Sequence, residues 1–458
     1  MSDVRDFGAA GDGHADDTEA IRHAIEQGDG LVHFPPGTYI VTEPIEFRLD
    51  RHGPGAIAGS GGLAKLVMRG AGPALRIVGT HDKNAAPASF RPEVWLRERM
   101  PTVAGIAIDG EHDESIGIEL IGTMQATITG VLIRRTKIGI RLARRNRNVL
   151  IADCHLYHGR PGGIGVSFDE VNLHQTNIVG SHISYWPHAG IKVQNSEVRN
   201  LQITGCDIEY NHDVNAQESA DVWIDARENT VREVTIASCT IQALESPGGA
   251  NVRIEGPELG DSRGAGLWTI AGNILQSQET NLLLRNCRGV AVTGNSFATG
   301  FERALKIDRC RVIAVGSNSF DHNPDYQGEY VDGIEVVGSG GINLSGLIVE
   351  GCRAGSPESG GAISVADSSD VSIVGCQVLD PAHRGIELKN VRRTRVSDCT
   401  VVDRRDRPSM EQAIRWTGAG SANLATNNIV GKGRSGALEI AGGSATAAGN
   451  LVEEGRPS

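Results

Sequence analysis

A short strand pattern that returns at a nearly constant interval constrains this chain more than any other feature. It reads as a small residue followed by alternating apolar side chains: Gly117-Ile118-Glu119-Leu120, Gly139-Ile140-Arg141-Leu142, Gly165-Val166-Ser167-Phe168, Gly190-Ile191-Lys192-Val193, Asp221-Val222-Trp223-Ile224 and Asn251-Val252-Arg253-Ile254. It continues through Asn281-Leu282-Leu283-Leu284, Ala304-Leu305-Lys306-Ile307, Gly333-Ile334-Glu335-Val336, Ala362-Ile363-Ser364-Val365, Gly385-Ile386-Glu387-Leu388 and Ala413-Ile414-Arg415-Trp416 to Ala437-Leu438-Glu439-Ile440. A spacing of about 22 to 32 residues over about thirteen turns marks a solenoid, in which each turn buries its apolar face only against its neighbours. Alternation within each strand sends one set of side chains into the core and the other to solvent.

A second recurrence keeps the same register. Cys154, Ser181, Cys206, Cys239, Asn273, Asn295, Asn318, Cys352, Cys376, Cys399, Asn427 and Asn450 fall at one turn position in successive repeats. Stacked Asn side chains can hydrogen-bond from turn to turn, and Cys fills the same space as a small hydrophobe. Cys287 and Cys310 occupy another turn in neighbouring repeats. With no Cys-x-x-Cys pair, the cysteines read as structural rather than zinc-binding or redox-active.

The 458 residues therefore form one expected domain, 1–458: a cap and leading strands over 1–50, irregular early turns with an inserted loop over 51–105, regular turns over 106–452, and a tail at 453–458. The inserted loop can overhang a binding face. The formal charge of −12 comes from scattered acidic residues, which leaves no basic footprint for nucleic acid. No apolar run reaches the length of a bilayer span, and MSDVRDFGAAGDG carries no export signal, so a cytoplasmic location is the default expectation and a secreted or periplasmic one follows if a signal has been removed.

The first 45 or so residues carry a more specific signal. Asp6-Phe7-Gly8-Ala9-Ala10-Gly11-Asp12-Gly13, Asp16-Asp17-Thr18-Glu19-Ala20-Ile21 and Gly30-Leu31-Val32-His33-Phe34-Pro35-Pro36-Gly37-Thr38-Tyr39 resemble the leading segment of the pectate-lyase-like superfamily. The resemblance implies an all-β right-handed parallel β-helix with an N-terminal capping α-helix. It also implies action on, or binding of, carbohydrate, since hydrolases, lyases, epimerases and phage tailspikes share this opening, and it leaves a homotrimer open as an assembly. Asp17 or Thr18 can cap a helix whose Ala20, Ile21, Ala24 and Ile25 form one apolar face. Asp16 and Asp17 then read as capping residues. Val222-Trp223-Ile224-Asp225 is similar to the Trp-Ile-Asp-His element of pectate lyases, with Ala226 in place of the His, so that element's roles do not transfer. No polygalacturonase-type arrangement of the paired-Asp and His-Gly motifs is found.

Candidate chemistry lies where outward side chains stop being bland. In the middle repeats these are Asp169, Lys192, Trp223, Asp225, Arg253, Glu255, Arg285 and Asp308. The loops of the same repeats carry Tyr157-His158, Tyr185-Trp186-Pro187-His188 and Glu209-Tyr210-Asn211-His212-Asp213, a wall of aromatic and ionisable groups in a chain with 4% aromatics. Aromatic faces stack on sugar rings, and Arg, Asp and Asn groups fix hydroxyls or carboxylates. Asp225 is expected as the central carboxylate of a glycoside hydrolase acting on a poly- or oligosaccharide, with Glu255 or Asp169 as partner and Glu209 or Asp213 as competing acids. Adjacent turns place backbones ~4.8 Å apart and alternate turns ~9.6 Å, so retaining and inverting geometries both remain open. Lys192, Arg253, Arg285 and Asp308 are expected to clamp substrate, and Trp223, Tyr185, Trp186, His188, Tyr210 and His212 to line the groove. A polysaccharide lyase or C5 epimerase acting on a uronate is the alternative. There Ca²⁺ or a basic side chain neutralises the carboxylate, and Lys192, Arg253, Tyr210 or His212 supplies the base and acid. A third reading is a non-catalytic, tailspike-like glycan binder. Beyond Val337 the outward residues read as scaffold, apart from a loop over 322–330 that can close the groove or meet a neighbouring subunit.

Overall fold

A computed structural model describes residues 1–258, 265–325 and 329–453. The tail expected at 453–458 falls outside the described residues except for Glu453, as do Tyr326, Gln327 and Gly328 of the loop at 322–330. The chain is an all-β parallel solenoid of about 16 turns. Two compact units divide it, residues 1–240 and 241–458.

In the first unit each regular turn contributes three strands. Ala189–Gln194, Glu197–Thr204 and Asp207–Glu209 make one such turn. The first-sheet strand pairs in parallel with its counterparts, Ser167 opposite Lys192 and Lys192 opposite Trp223. The second pairs Leu173 with Val198 and Val198 with Val231, and the third pairs Leu156 with Ile183 and Ile183 with Ile208. The inward members of each strand, such as Ile140, Leu142, Val166, Phe168, Ile178 and Ile183, have no exposed surface. Each buried aliphatic contributes roughly 1.5–3 kcal/mol, so every turn is held by several such terms against its two neighbours.

Stacking begins earlier than the repeat pattern suggests, which accounts for the larger number of turns. Leu31–His33, Ala56–Ala58 and Thr102–Ala104 already pair in parallel, as do Gly37–Val41, Ala64–Met68 and Ala107–Gly110. These turns lack the Gly-Ile-x-Leu signature, yet they keep apolar residues such as Val32, Ile57, Val103 and Leu66 buried inside. The helix Thr18–Gln27 buries Ile21, Ala24 and Ile25. Its capping departs from expectation. Asp16 accepts from the Thr18 amide and hydroxyl, whereas Asp17 accepts from the amides of Ala10, Gly11 and Ile40 and ties the leading loop to the first turns. The insertion after Val78 lies on the second sheet rather than over the first. Arg147 donates to the carbonyls of Ala86 and Pro87, and Asn172 accepts from the Ala85 amide.

The second unit repeats the plan, with Arg253 opposite Leu283, Leu283 opposite Lys306, Lys306 opposite Glu335 and Glu335 opposite Ser364. An Asn ladder runs through it. Asn295 Oδ1 accepts from the Asn273 amide and side chain, and Asn318 Oδ1 does the same for Asn295. Two expected members are displaced. Asn428, not Asn427, binds Asn450, because Asn427 takes the left-handed corner before it at φ +56°. Cys352 lies outside the ladder: its thiol donates to the Val331 carbonyl, and the buried Leu347 precedes the strand Ile348–Glu350 at the ladder position. All eight cysteines are buried and free. Burial pushes the Cys154 thiol up to about 11 and that of Cys352 up to about 12, which keeps both protonated. Among the described residues, no helix is long and apolar enough to cross a membrane.

Candidate functional site

The candidate residues fall into three groups, two in the first unit and one in the second. Asp225 and Glu255, expected as a working pair, belong to different units and are described separately.

The first group sits on the first sheet around Lys192. Its ammonium lies 2.6 Å from His188 Nε2 and 4.0 Å from the centre of the Trp223 ring. Burial lowers the affinity of Lys192 for its proton, against the opposing charges of Asp225 and Asp169. Trp223 does not present the open sugar platform expected of it. It is 3% exposed because Lys192 covers it and the His188 ring packs 5.2 Å away. Asp225 is held by a two-pronged contact from Arg227, at 2.8 and 2.6 Å. Burial works to raise Asp225, but these bonds hold it below the usual carboxylate range. Its expected partner Asp169 accepts from Asn195 Nδ2 at 3.2 Å.

A second group lies on the third sheet and the corner that follows it. Tyr157, Ser184 and Glu209 stand opposite one another in successive turns, and the next residues, His158, Tyr185 and Tyr210, are all left-handed at φ +55°, +62° and +56°. Bulky residues rarely adopt this conformation. Here it turns three rings into one column, His158 on Tyr185 at 4.7 Å and Tyr185 on Tyr210 at 5.4 Å, with near-parallel planes. Beside the column, Asp207 and Glu209 point outward from one strand while Ile208 points in. His182 Nε2 lies 2.6 Å from Asp207 Oδ2, and His182 Nδ1 lies 3.1 Å from the Tyr157 hydroxyl and 3.3 Å from His155 Nδ1. Burial, and then the charge of Asp207, push the Glu209 carboxyl above the ordinary range. Asp207, His182 and His155 are absent from the sequence expectation. The signal was the third-sheet register, which brings His155, His182 and Asp207 opposite one another.

The loop residues around this column divide. Tyr185 is 45% exposed. Trp186, expected in the same wall, is fully buried: its indole N–H donates to the Leu156 carbonyl, and its ring fills space left by glycines. A Cβ on Gly159 would come within 2.2 Å of that ring, and one on Gly139 or Gly165 within 3.2 Å or 3.1 Å. Asn211 carries the next turn, accepting from the Trp186 amide and donating to Asp221. Burial lowers the proton affinity of His212, and Asp213 accepts from the Asn215 amide within its own loop.

The third group, in the second unit, closes on itself. Arg253 donates to both oxygens of Glu255, Arg285 bridges Glu255 and Asp308 at 3.0 and 2.9 Å, and Arg309 adds a contact to Asp308. The Glu255 side chain is 2% exposed. Glu255 is therefore not the accessible carboxylate expected, nor Arg253 a substrate clamp; both are consumed in a buried ion-pair chain. Among the described residues, no group of three or more His, Cys, Asp or Glu is arranged to hold a metal ion.

Comparison with known proteins bears on fold more than chemistry. The family model described as rhamnogalacturonase A/epimerase, pectate lyase-like, matches residues 1–53. A probable glucan endo-1,3-β-glucosidase of Arthroderma benhamiae is 49% identical over 55 residues, 9% of this chain and 6% of that protein. Plasmin and fibronectin-binding protein A of Streptococcus pneumoniae is 44% identical over 54 residues, 11% of this chain and 8% of that one. The chain thus aligns with under a tenth of either relative. Gene product 12 of bacteriophage phi29 is similar in fold, with a TM-score of 0.51 at 13% identity, over 98% of this chain and 56% of that one. The right-handed β-helix region model matches residues 116–282, 165–344 and 280–452, and the chain belongs to the right-handed β-helix family.

Proposed function

We propose that the protein is a carbohydrate-active enzyme that hydrolyses glycosidic bonds of a poly- or oligosaccharide on the third-sheet face of the first unit. The observation that carries this reading is the column His158, Tyr185 and Tyr210 stacked directly beside the outward carboxyls of Asp207 and Glu209. The outward ring edges of the stack, with the Tyr185 and Tyr210 hydroxyls, offer an amphipathic strip along which successive sugars lie. Glu209, whose carboxyl burial and the charge of Asp207 push upward, is the group suited to give a proton to the leaving glycosidic oxygen. Asp207, oriented by His182, takes a proton from the water that attacks the anomeric carbon. Two residues of one strand are ~6.6 Å apart along its axis, which falls at the lower edge of the inverting range. This places the acid at Glu209, a competitor in the sequence reading, in preference to Asp225, whose carboxylate is held ionised by Arg227.

A second reading rests on Lys192. A half-desolvated lysine, lowered in proton affinity and in contact with His188, suits abstraction of a proton next to a uronate carboxylate, as in elimination or C5 epimerisation. A product assay on neutral and uronate polysaccharides separates the two, with reducing ends and ultraviolet absorbance read together. Hydrolysis yields reducing ends without absorbance, and Glu209→Gln then lowers turnover by about 10²–10⁴-fold while glycan binding persists. Absorbance from an unsaturated uronate that disappears in Lys192→Met favours elimination; full activity in Glu209→Gln removes the third-sheet site.

A further inference from the structure

Beyond Val337 the outward residues read as scaffold from the sequence, yet a cavity of about 560 Å³ that reaches into these turns opens on the first sheet of the second unit. This lies within the ~300–1,000 Å³ range of small-molecule sites. From this cavity we infer a second saccharide site, one that binds a single neutral pyranose unit and does not depend on the third-sheet site proposed above.

The cavity is built rather than left over. Its floor is the outward column Glu335, Ser364 and Glu387, three residues opposite one another in consecutive turns. The two carboxylates therefore rise from backbones ~9.6 Å apart, with the small Ser364 between them leaving room for a ring. Ser364 Oγ is tied to the neighbouring Gly361, accepting from its amide at 3.0 Å. One rim is the partly exposed Phe301, and the other is the loop from Ala354 to Gly361. That loop is pinned from beneath by Arg384, itself 3% exposed, whose guanidinium donates to the carbonyls of Ser356, Pro357 and Gly360. Gly355 and Gly360 are left-handed at φ +97° and +80° and touch each other so closely that a Cβ on Gly355 would fall 2.7 Å from Gly360. The rim therefore carries no side chain where a ring would enter. A clamped loop costs little further ordering on binding.

Charge selects the ligand. Glu335 is met by Arg303 and by Lys306 Nζ at 3.4 Å, while Glu387 accepts from the Gly360 amide and faces Arg415 at 3.4 Å. Both carboxylates are compensated locally and retain lone pairs, so they suit hydroxyl donors that bring no net charge. Phe301, Val331 and Ala354 provide the apolar surface on which a pyranose face rests. A uronate would add a carboxylate to a lining in which three glutamates, Glu302, Glu335 and Glu387, already outnumber the two cations Arg303 and Lys389.

Saturation-transfer NMR on the full chain with glucose-, galactose- and mannose-linked neutral disaccharides, alongside digalacturonate, tests the proposal. At least one neutral disaccharide is expected to bind the wild-type chain with a component that survives in Tyr185→Ala, so that failure of the third-sheet reading leaves this result standing. Ser364→Phe fills the cavity and is expected to abolish that binding. Phe301→Ala, which leaves the floor intact, is expected to weaken it about tenfold and serves if Ser364→Phe does not fold. No binding of any neutral disaccharide, binding of digalacturonate alone, or neutral binding unchanged in Phe301→Ala overturns the site.

Discussion

Glu209 and Glu255 are both glutamates on outward strand positions in the densest polar part of the chain, and they have opposite environments. Glu255 is closed in by Arg253 and Arg285 and almost wholly buried. Glu209 has a histidine–aspartate pair on its own sheet and an aromatic column at its edge, with its proton held more tightly than usual. Charge density alone therefore does not mark a site on a β-helix. A stacked fold lines up side chains from every turn, and Arg and Glu in register simply neutralise one another, as Arg76 and Glu119 do at 2.6 Å in the early turns. What distinguishes a candidate catalytic acid is a carboxyl that this neutralisation has left out.

The sharpest way to break the comparison is to alter both glutamates and read turnover and stability together. Glu209→Gln is expected to remove turnover by the margin given above and leave the urea midpoint unchanged. Glu255→Ala removes the buried carboxylate shared by Arg253 and the partly exposed Arg285 and is expected to cost about 3–5 kcal/mol of stability, with turnover per folded molecule intact. Loss of turnover in Glu255→Ala without loss of stability would invert the assignment.

Trp186→Ala comes next in size. Removing a fully buried indole is expected to cost about 3–5 kcal/mol, whereas Tyr185→Ala, its exposed neighbour, changes stability little and weakens glycan binding. Chemical unfolding and glycan binding of the two variants check this. Equal stability losses would mean that the aromatic column is structural rather than a platform.

These residues show how far the sequence could be read. The period-two alternation and the interval between repeats locate strands and register, because both follow from backbone geometry, and the column from Ser167 through Lys192 to Trp223 follows directly. Loop side chains obey no such period. Trp186 and Tyr185 are adjacent and equally aromatic, and only the glycines at 139, 159 and 165, in the preceding two turns, reveal that one of them turns inward. Asp207 and His182 were missed for a related reason: each is one polar residue in a three-residue strand, and the pair exists only across turns. Arg227, which neutralises Asp225, lies two residues further along in the loop, where no outward column predicts a contact.

Asp332 supplies a third kind of carboxyl, neither paired like Glu255 nor open like Glu209, and its effect on stability develops only with rising pH. It is 1% exposed, accepts a hydrogen bond from the Gly300 amide, and is pushed up to about 7 chiefly by burial, from an ordinary value of 3.8. A carboxyl raised by folding favours the folded state most when protonated. Its contribution is therefore full below pH 4, declines as the pH climbs towards about 7, and is gone above that. Asp332→Asn keeps an acceptor for Gly300 without an ionisable proton, so the variant's thermal midpoint should match the wild type near pH 4 and exceed it progressively up to pH 8. A difference between the two that does not change with pH would mean that Asp332 stays ionised in the fold, and that a buried carboxylate in this β-helix needs no arginine to hold it.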